Sequence, residues 1–280
     1  MQKHVEIGPF TLIMPTAAIT AKSHGGRAKC LQRLIRLDLP VPTTVALSFD
    51  TVHKIASGHV PDMNAILDAF GPDPLVSVRP SSEDPDWGGP GAILNIGMTT
   101  RRHALMCDTL GADAATALYL RFIQAYAVHV ARLDPDMFDL PDTPDQAALA
   151  HALFAYSEET DEEFPQDPAT QLSEVLRSMA RAWEGTTARL LRQAKGAPAD
   201  AGLGLVVQNM ALGVGQPESG SGVMQFVDST TGVAQITGRY LSQSQGRDAL
   251  SRGEGALYLT RDPRGRALED LCPDCFEELK

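Results

Sequence analysis

The sequence has few cysteines, few aromatic residues and no long apolar run. Four cysteines in 280 residues are too few for a disulfide scaffold at this length. No run of about 18 apolar residues is present, so a transmembrane helix is not predicted. The segment Met1–Glu6 has no apolar signal-peptide core. We therefore expect a soluble, cytoplasmic protein without a membrane partner.

Positive charge is also scarce. Lysine and arginine number 24 against 35 aspartates and glutamates, which gives a net charge of −11. Because no overall positive field attracts a polyanion, non-specific nucleic-acid binding is not expected. The length suits one large domain or two smaller ones, with ample residues for a core. A local cluster of cations would stand out against this acidic background.

One stretch combines a predicted strand, a cation and a glycine-rich loop. The apolar run Leu75–Val78 predicts a buried strand that ends at Arg79. The loop Trp87–Gly91 follows, and a second apolar run leads to Asn95. A cation beside a glycine loop suits an anionic ligand such as a phosphate chain. The alternative is an ordinary strand, a solvated arginine and a Pro/Gly turn.

A second candidate anion site lies at the predicted start of the first helix. Gly25-Gly26 leads into a helical pattern that begins at Arg27, with Lys29 in the same first turn. Cations are unfavourable beside the positive end of a helix dipole unless an anion binds there. The alternative is a simple glycine-led helix start with solvated charges.

The predicted elements indicate an α/β (α+β) protein. Residues 1–100 are a mixed unit with strands near 10–14 and 41–47 and one or two short helices over 50–70. Residues 113–195 read as helical, and Asp167-Pro168 opens a long helix whose apolar stripe continues to Leu190. Strands return at three places, which are 203–212, 219–227 and 234–241.

Two further clusters favour ordinary interpretations. The acidic run around Asp161–Glu163 is read as a solvated face or loop and not as a metal site. The segment Cys272-Pro273-Asp274-Cys275 has the spacing of a redox motif or of half a zinc site. Because no second Cys/His pair is obvious, coincidence is the favoured interpretation of the cysteine spacing.

Several short motifs follow one another in a definite order. They are Gly25-Gly26-Arg27-Ala28, Leu39-Pro40-Val41-Pro42, Val78-Arg79-Pro80-Ser81, Ile93-Leu94-Asn95, Arg121-Phe122-Ile123-Gln124, Phe164-Pro165-Gln166-Asp167-Pro168, Val207-Gln208-Asn209-Met210, Gly238-Arg239-Tyr240-Leu241 and Ser244-Gln245-Gly246-Arg247-Asp248. No single motif is specific. Their joint order resembles the N-terminal nucleotide-binding domain of pyruvate, phosphate dikinase, which phosphoenolpyruvate synthase and related dikinases share.

The resemblance implies an ATP-grasp fold in which two α/β lobes clamp ATP. The implied boundaries are 1–112 for the first lobe, 113–197 for a helical insertion and 198–280 for a second lobe truncated at its C-terminal end. It also implies transfer of a phosphoryl group from ATP to a histidine on a separate domain, and onward to pyruvate on a barrel domain. Such chemistry depends mainly on positioning and charge neutralisation.

The resemblance assigns roles residue by residue. Arg79 takes the phosphate-binding arginine position and Arg27 the phosphate-binding lysine position, so these two are the catalytic candidates. The strand with Gln208 and Met210 would line the adenine. The remaining candidates for contact with the nucleotide are Lys29, Arg239, Gln245 and Asp248.

Two departures from the family pattern replace acids by arginines and make this site more positive. Arg239 occupies an acidic position and Arg247 replaces a second acid, while Val227 replaces an arginine that often faces phosphate. ATP is the expected cofactor. Mg²⁺ is expected from the family alone, and its ligands are unknown, because Arg239 is a cation and cannot ligate Mg²⁺. Either Arg239 supplies part of the metal's charge, or the lobe binds an anion without transferring a phosphoryl group.

The expected phosphate acceptor lies outside this sequence. None of the seven histidines sits in the Gly-Gly-x-x-x-His type of motif that carries phosphohistidine in the family. We expect the phosphohistidine domain and the phosphoenolpyruvate/pyruvate-binding domain in the same full-length protein, beyond Lys280. A homodimer is left open.

Overall fold

The computed structural model describes residues 9–140, 144–216, 218–245 and 255–280. The chain forms two compact units. Unit 1 comprises Met1–Cys107 and Ala115–Met210, and unit 2 comprises Asp108–Ala114 and Ala211–Lys280. Within the described ranges, no helix has both the length and the apolar character needed to cross a membrane.

Unit 1 is built on a five-stranded antiparallel sheet. Its strands are β1 (Thr11–Leu12), β2 (Thr44–Leu47), β3 (Val76–Ser82), β4 (Ile93–Ile96) and β5 (Leu203–Asn209). Their order across the sheet is β1-β2-β5-β3-β4, and neighbouring strands are antiparallel. This arrangement confirms a mixed α+β fold, and it confirms the strands predicted from the apolar runs.

Helices accompany the sheet, and those outside residues 100–110 lie where the sequence predicts helical segments. They are α1 (Ala21–Arg36), α2 (Phe49–Ala56), α3 (Met63–Leu67), α4 (Thr100–Leu110), α5 (Ala112–Tyr126), α6 (Gln146–Thr160), α7 (Pro168–Glu184) and α8 (Thr186–Ala194). The Asp167 carboxylate caps α7 by accepting from the backbone N–H of Thr170 at 2.9 Å. However, α7 ends before Gly185, so Leu190 lies on α8 and is 59% exposed.

The two faces of the central strands differ in chemistry. Alternation along the strands puts Val45, Val78 and Val207 on one face, and all three are fully buried. The opposite face carries Ala46 and Val206, which pack against Ala28 of α1, and the polar residues of the site. Helix α1 therefore lies on the polar face of the sheet.

Strand β3 runs further than its apolar residues predict. It continues through Pro80 to Ser82, so Arg79 lies within the strand and not at its end. Pro80 is tolerated because β4 pairs only with Val76 and Val78, which leaves no β4 partner in need of the missing N–H.

Helix α1 contains a break at the predicted glycine pair. Gly25 has φ +86°, and this residue separates a short turn from the main helix. The sequence predicts a helix that begins after the glycines, and the main segment does so. An extra helical turn from Ala21 precedes it.

From Gly220 onward, the described residues of unit 2 form a three-stranded antiparallel sheet and two short helices. The strands are β6 (Gly220–Val227), β7 (Ala234–Ser242) and β8 (Leu257–Tyr258), in that order across the sheet, and the helices are α9 (Leu268–Leu271) and α10 (Pro273–Leu279). Leu259, Leu268 and Phe276 form its buried cluster. The second lobe over 198–280 stays a prediction; β5, which lies within that range, is hydrogen-bonded between β2 and β3.

A pair of glycine substitutions tests the close contact between α1 and β3. A Cβ atom on Gly25 would lie 1.7 Å from the Ser81 carbonyl oxygen, whereas Gly58, at φ +97°, has open space around it. We expect Gly58→Ala to cost about 1 kcal/mol of unfolding free energy for its backbone alone. We expect Gly25→Ala to cost about 2–5 kcal/mol, because a steric clash is added.

Urea unfolding followed by tryptophan fluorescence measures this difference, since both tryptophans, Trp87 and Trp183, lie in unit 1. Equal midpoints for the two variants would contradict the described packing.

Candidate functional site

The start of α1 rests directly on the last residues of β3. The glycine pair permits this approach, because any side chain on Gly25 would meet the Ser81 backbone. The Ala28 N–H donates to Ser81 Oγ at 3.1 Å, and Arg27 Nε donates to the Pro80 carbonyl at 2.8 Å. The Arg27 side chain is thereby held across β3.

Arg27 and Arg79 form a half-buried pair of like charges. Burial lowers the pKa of both guanidinium groups, and the nearby charge of Arg79 lowers that of Arg27 further. Among the described residues, neither guanidinium forms an ion pair with a carboxylate, whereas Arg177, also in unit 1, bonds Glu174 at 2.9 Å. Because buried cations are normally paired, the geometry points to a place for an external anion.

The same face of the sheet continues from the arginines to Gln208. Arg79 faces Val206 across the β3–β5 ladder, and Ser77 faces Gln208. Gln208 Nε2 donates to Thr44 Oγ1 at 2.9 Å. Residues two positions apart in a strand are about 7 Å apart. The site is therefore a row on one face, with the cations towards one end and the buried amide of Gln208 beyond Arg79.

Met210 lies at the next same-face position beyond Gln208. Its N–H donates to the Leu75 carbonyl at 2.9 Å, just outside the strand pairing. The structure thus brings Arg27, Arg79, Gln208 and Met210 into one region of unit 1. Their roles towards a nucleotide remain predictions.

Lys29 faces a different environment. Its ammonium group donates to the Ile19 carbonyl at 3.1 Å and to Gln32 Oε1 at 2.8 Å. These bonds hold the segment that precedes α1. The sequence pattern places Lys29 with Arg27 in the first turn, but the structure engages it in bonds to the protein itself.

The remaining predicted contacts belong to unit 2. Arg239 Nη2 donates to the Ala256 carbonyl at 3.0 Å, and its guanidinium lies 4.2 Å from the centre of the Tyr258 ring. Gln245 is buried, and Asp248 and Arg247 lie outside the described residues. Within the described ranges, no group of three or more His, Cys, Asp or Glu side chains is placed to hold a metal ion.

Three residues that support the site are not among the predicted site residues. Ser81 bonds the start of α1, Ser77 Oγ donates to the Gln208 carbonyl at 3.4 Å, and Thr44 fixes the Gln208 amide. The alternation of polar side chains at 77, 79 and 81 with apolar ones at 76 and 78 is the available signal for this polar face. Thr44 gives no comparable signal, because its partner lies far away in the sequence.

Known proteins similar to this chain are dikinases. The pyruvate, phosphate dikinase of Clostridium symbiosum is 30% identical over 227 residues, which cover 74% of this chain and 25% of that protein. The Rhizobium meliloti enzyme is 28% identical over 230 residues, covering 74% and 26%, and the Entamoeba histolytica enzyme is 24% identical over 294 residues, covering 91% and 33%. No family profile matches the chain.

These similarities confirm the resemblance to pyruvate, phosphate dikinases inferred from the motif order. The chain spans a quarter to a third of the length of these relatives. Its similarity therefore concerns one part of a longer enzyme.

The repulsion between Arg27 and Arg79 can be tested on the ligand-free protein. Arg79→Met keeps an apolar stem and removes a half-buried charge that repels Arg27. We expect the unfolding free energy to stay unchanged or to rise by up to about 1 kcal/mol, as happens when a site strained for function is relaxed. Urea unfolding without nucleotide or phosphate measures it.

The matched control is Arg177→Met, which removes the partner of Glu174. This change should lower stability by about 0.2–0.5 kcal/mol. A loss above about 1 kcal/mol for Arg79→Met, which is typical of structural residues, would show that Arg79 serves the fold.

Proposed function

We propose that this chain, a relative of the pyruvate, phosphate dikinases, is the ATP-binding domain of a dikinase-like phosphotransferase. In the whole protein, this domain would pass a phosphoryl group from ATP to a histidine on a separate domain, towards phosphoenolpyruvate formation. Relatives named pyruvate, phosphate dikinase support the class of enzyme. The substrate, the acceptor and the direction of transfer are part of the proposal.

The observation that carries the proposal is the pair formed by Arg27 and Arg79. Two half-buried guanidinium groups that have no carboxylate partner in the described part of the chain repel each other, and an anion between them would remove that cost. The planar guanidinium offers several N–H donors that match phosphate oxygens. A polyphosphate is therefore the ligand class that this end of the site fits best.

The opposite end of the row suits a nucleobase. Gln208 and Met210 follow Arg79 along the same face, and the Gln208 amide is anchored by Thr44. A ligand with a charged chain at one end and a flat polar ring at the other matches this order. Met210 offers an adaptable apolar contact for the flat face of such a ring.

Phosphoryl transfer needs positioned cations more than reactive side chains. As negative charge spreads over the transferred group, Arg27 and Arg79 would stabilise it electrostatically. The Pro80 carbonyl fixes Arg27 in advance, so little rearrangement is needed when the ligand binds. When bound, Mg²⁺ would neutralise further phosphate charge. The described residues contain no group of three or more His, Cys, Asp or Glu side chains that could hold it.

We expect Arg79→Met and Arg27→Met each to weaken ATP binding by about 10- to 100-fold, the equivalent of a lost charge-assisted hydrogen bond. Binding of adenosine should change far less, because it lacks phosphates. Calorimetry on the 280-residue chain measures both ligands.

Arg27→Lys, which restores the family residue, should keep most of the affinity. Arg177→Met is the control for general loss of positive charge in unit 1. Unchanged ATP affinity in Arg79→Met would place the nucleotide elsewhere.

Arg239 favours a second candidate, an anion-binding module without transfer activity. Its guanidinium is fixed by the Ala256 carbonyl and by the Tyr258 ring, so it is an ordered cation at a position where the family has an acid. A carboxylate there could contribute to metal binding, but a guanidinium cannot. This module would bind phosphate groups with little help from Mg²⁺.

We expect the affinity of the wild-type protein for ATP to differ by less than about threefold between buffer with Mg²⁺ and buffer with a chelator. A tenfold difference would correspond to about 1.4 kcal/mol of binding free energy. Arg239→Glu should make the binding of phosphate groups at position 239 itself depend on Mg²⁺, because it adds a carboxylate ligand there. Arg239→Gln removes the same charge and stacking without adding a carboxylate, so it is the matched control.

A wild-type protein that binds ATP only with Mg²⁺ would contradict the proposed role of Arg239. Formation of phosphoenolpyruvate from pyruvate, ATP and phosphate by the full-length gene product would decide between transfer and binding alone.

A further inference from the structure

Two cysteine thiols lie side by side in unit 2. Cys272 follows α9 and directly precedes α10, and Cys275 lies in the first turn of α10. Both are half-buried and reduced, and their Sγ atoms share a hydrogen bond at 2.7 Å. A disulfide brings two sulfurs to about 2.05 Å. The distance between the two Sγ atoms therefore exceeds the length of a disulfide bond by less than about 1 Å.

The surrounding structure holds the thiols in this position. Phe276, next to Cys275, is buried in the cluster with Leu259 and Leu268, and Cys272 packs against that cluster. The Cys272 N–H donates to the Leu268 carbonyl at 2.8 Å, and the Phe276 N–H donates to the Cys272 carbonyl at 3.1 Å. Both cysteine backbones are thus fixed by a core that does not depend on a bond between the sulfurs.

We propose that Cys272 and Cys275 form a reversible thiol–disulfide pair. The oxidant is a small disulfide of the oxidised-glutathione class. The spacing of two residues, the sulfur contact and the partial exposure support this assignment together. Spacing alone favours coincidence, and the contact between the thiols reverses that interpretation.

The reaction conserves atoms and electrons. A protein thiolate attacks one sulfur of the small disulfide, forms a mixed disulfide and releases the other half as a thiolate. The second cysteine then loses its proton and attacks the protein sulfur of the mixed disulfide, which releases the second half. The two protein thiols lose two electrons and two protons, and the small disulfide becomes two thiols.

Oxidation should be slow at neutral pH and faster as pH rises. The hydrogen bond with Cys272, with burial and nearby negative charges as further causes, raises the pKa of Cys275 to about 11. The thiolate is the attacking species. A raised pKa keeps the thiolate scarce near neutral pH, so the rate of ring closure increases as pH approaches that value.

The proposed disulfide would form next to β7, the strand that carries Arg239. Tyr240, the next residue on β7, packs against the same apolar cluster as Cys272. Burial first, and then the nearby Cys275 and Cys272, raise the pKa of Tyr240. Oxidation would fix the turn between α9 and α10 beside this strand of unit 2.

The experiment equilibrates the reduced 280-residue chain in buffers with a series of reduced-to-oxidised glutathione ratios, with a chelator present. After an acid quench, the remaining thiols are alkylated, and intact mass and peptide mapping identify the products. We expect a species about 2 Da lighter than the dithiol before alkylation, with residues 272 and 275 linked. The same chain in urea should need at least about tenfold more oxidised glutathione.

Cys30 and Cys107 provide an internal control, since they should acquire glutathione adducts or stay reduced. The variant Cys30→Ser with Cys107→Ser should oxidise as the wild type does. Cys275→Ser should stop the reaction at a mixed disulfide on Cys272.

Equal glutathione ratios for folded and urea-unfolded chain, or adducts on both cysteines without a link, would overturn the proposal. A parallel experiment adds Zn²⁺ and omits the chelator. The pair would belong to a shared metal site instead if one ion per two chains protects both thiols and no glutathione ratio gives a disulfide once the chelator is restored.

Discussion

The contact between Gly25 and the Ser81 backbone is the constraint on which the rest of the site depends. Only a glycine with φ +86° lets the start of α1 touch β3 at this distance. The contact brings Arg27 within reach of the Pro80 carbonyl and beside Arg79. A larger residue would separate helix and strand and remove the charge pair together with the packing.

The site opposes stability locally while the rest of unit 1 supplies it. One face of β2, β3 and β5 is fully buried and apolar, and it provides the core that holds the strands in place. The other face carries a buried glutamine and two cations, Arg27 and Arg79, which form no ion pair with any described residue. This division is typical of binding sites, where groups arranged for a ligand are held by surrounding structure.

Local patterns in the sequence predict most elements but not their meeting points. The apolar runs predict β3 and β5, and Asp167-Pro168 predicts the start of α7. Three features depend on distant partners, namely the length of β3 beyond Arg79, the bond between Thr44 and Gln208, and the engagement of Lys29 by Ile19. No periodicity within a single segment contains these contacts. The order of the motifs indicates the resemblance to the dikinases. The structure is needed to show which side chains share one face of the sheet.

The position of β5 has a consequence for how the protein is made. β5 lies between β2 and β3, yet it follows α4 to α8 in the chain. The centre of the sheet is therefore empty until a ribosome has synthesised the helical segment. During that time β2 and β3 expose unpaired edges, and such edges favour misassembly. Long-range closure of this kind slows folding, so the polar face becomes complete only in the last step of assembling unit 1.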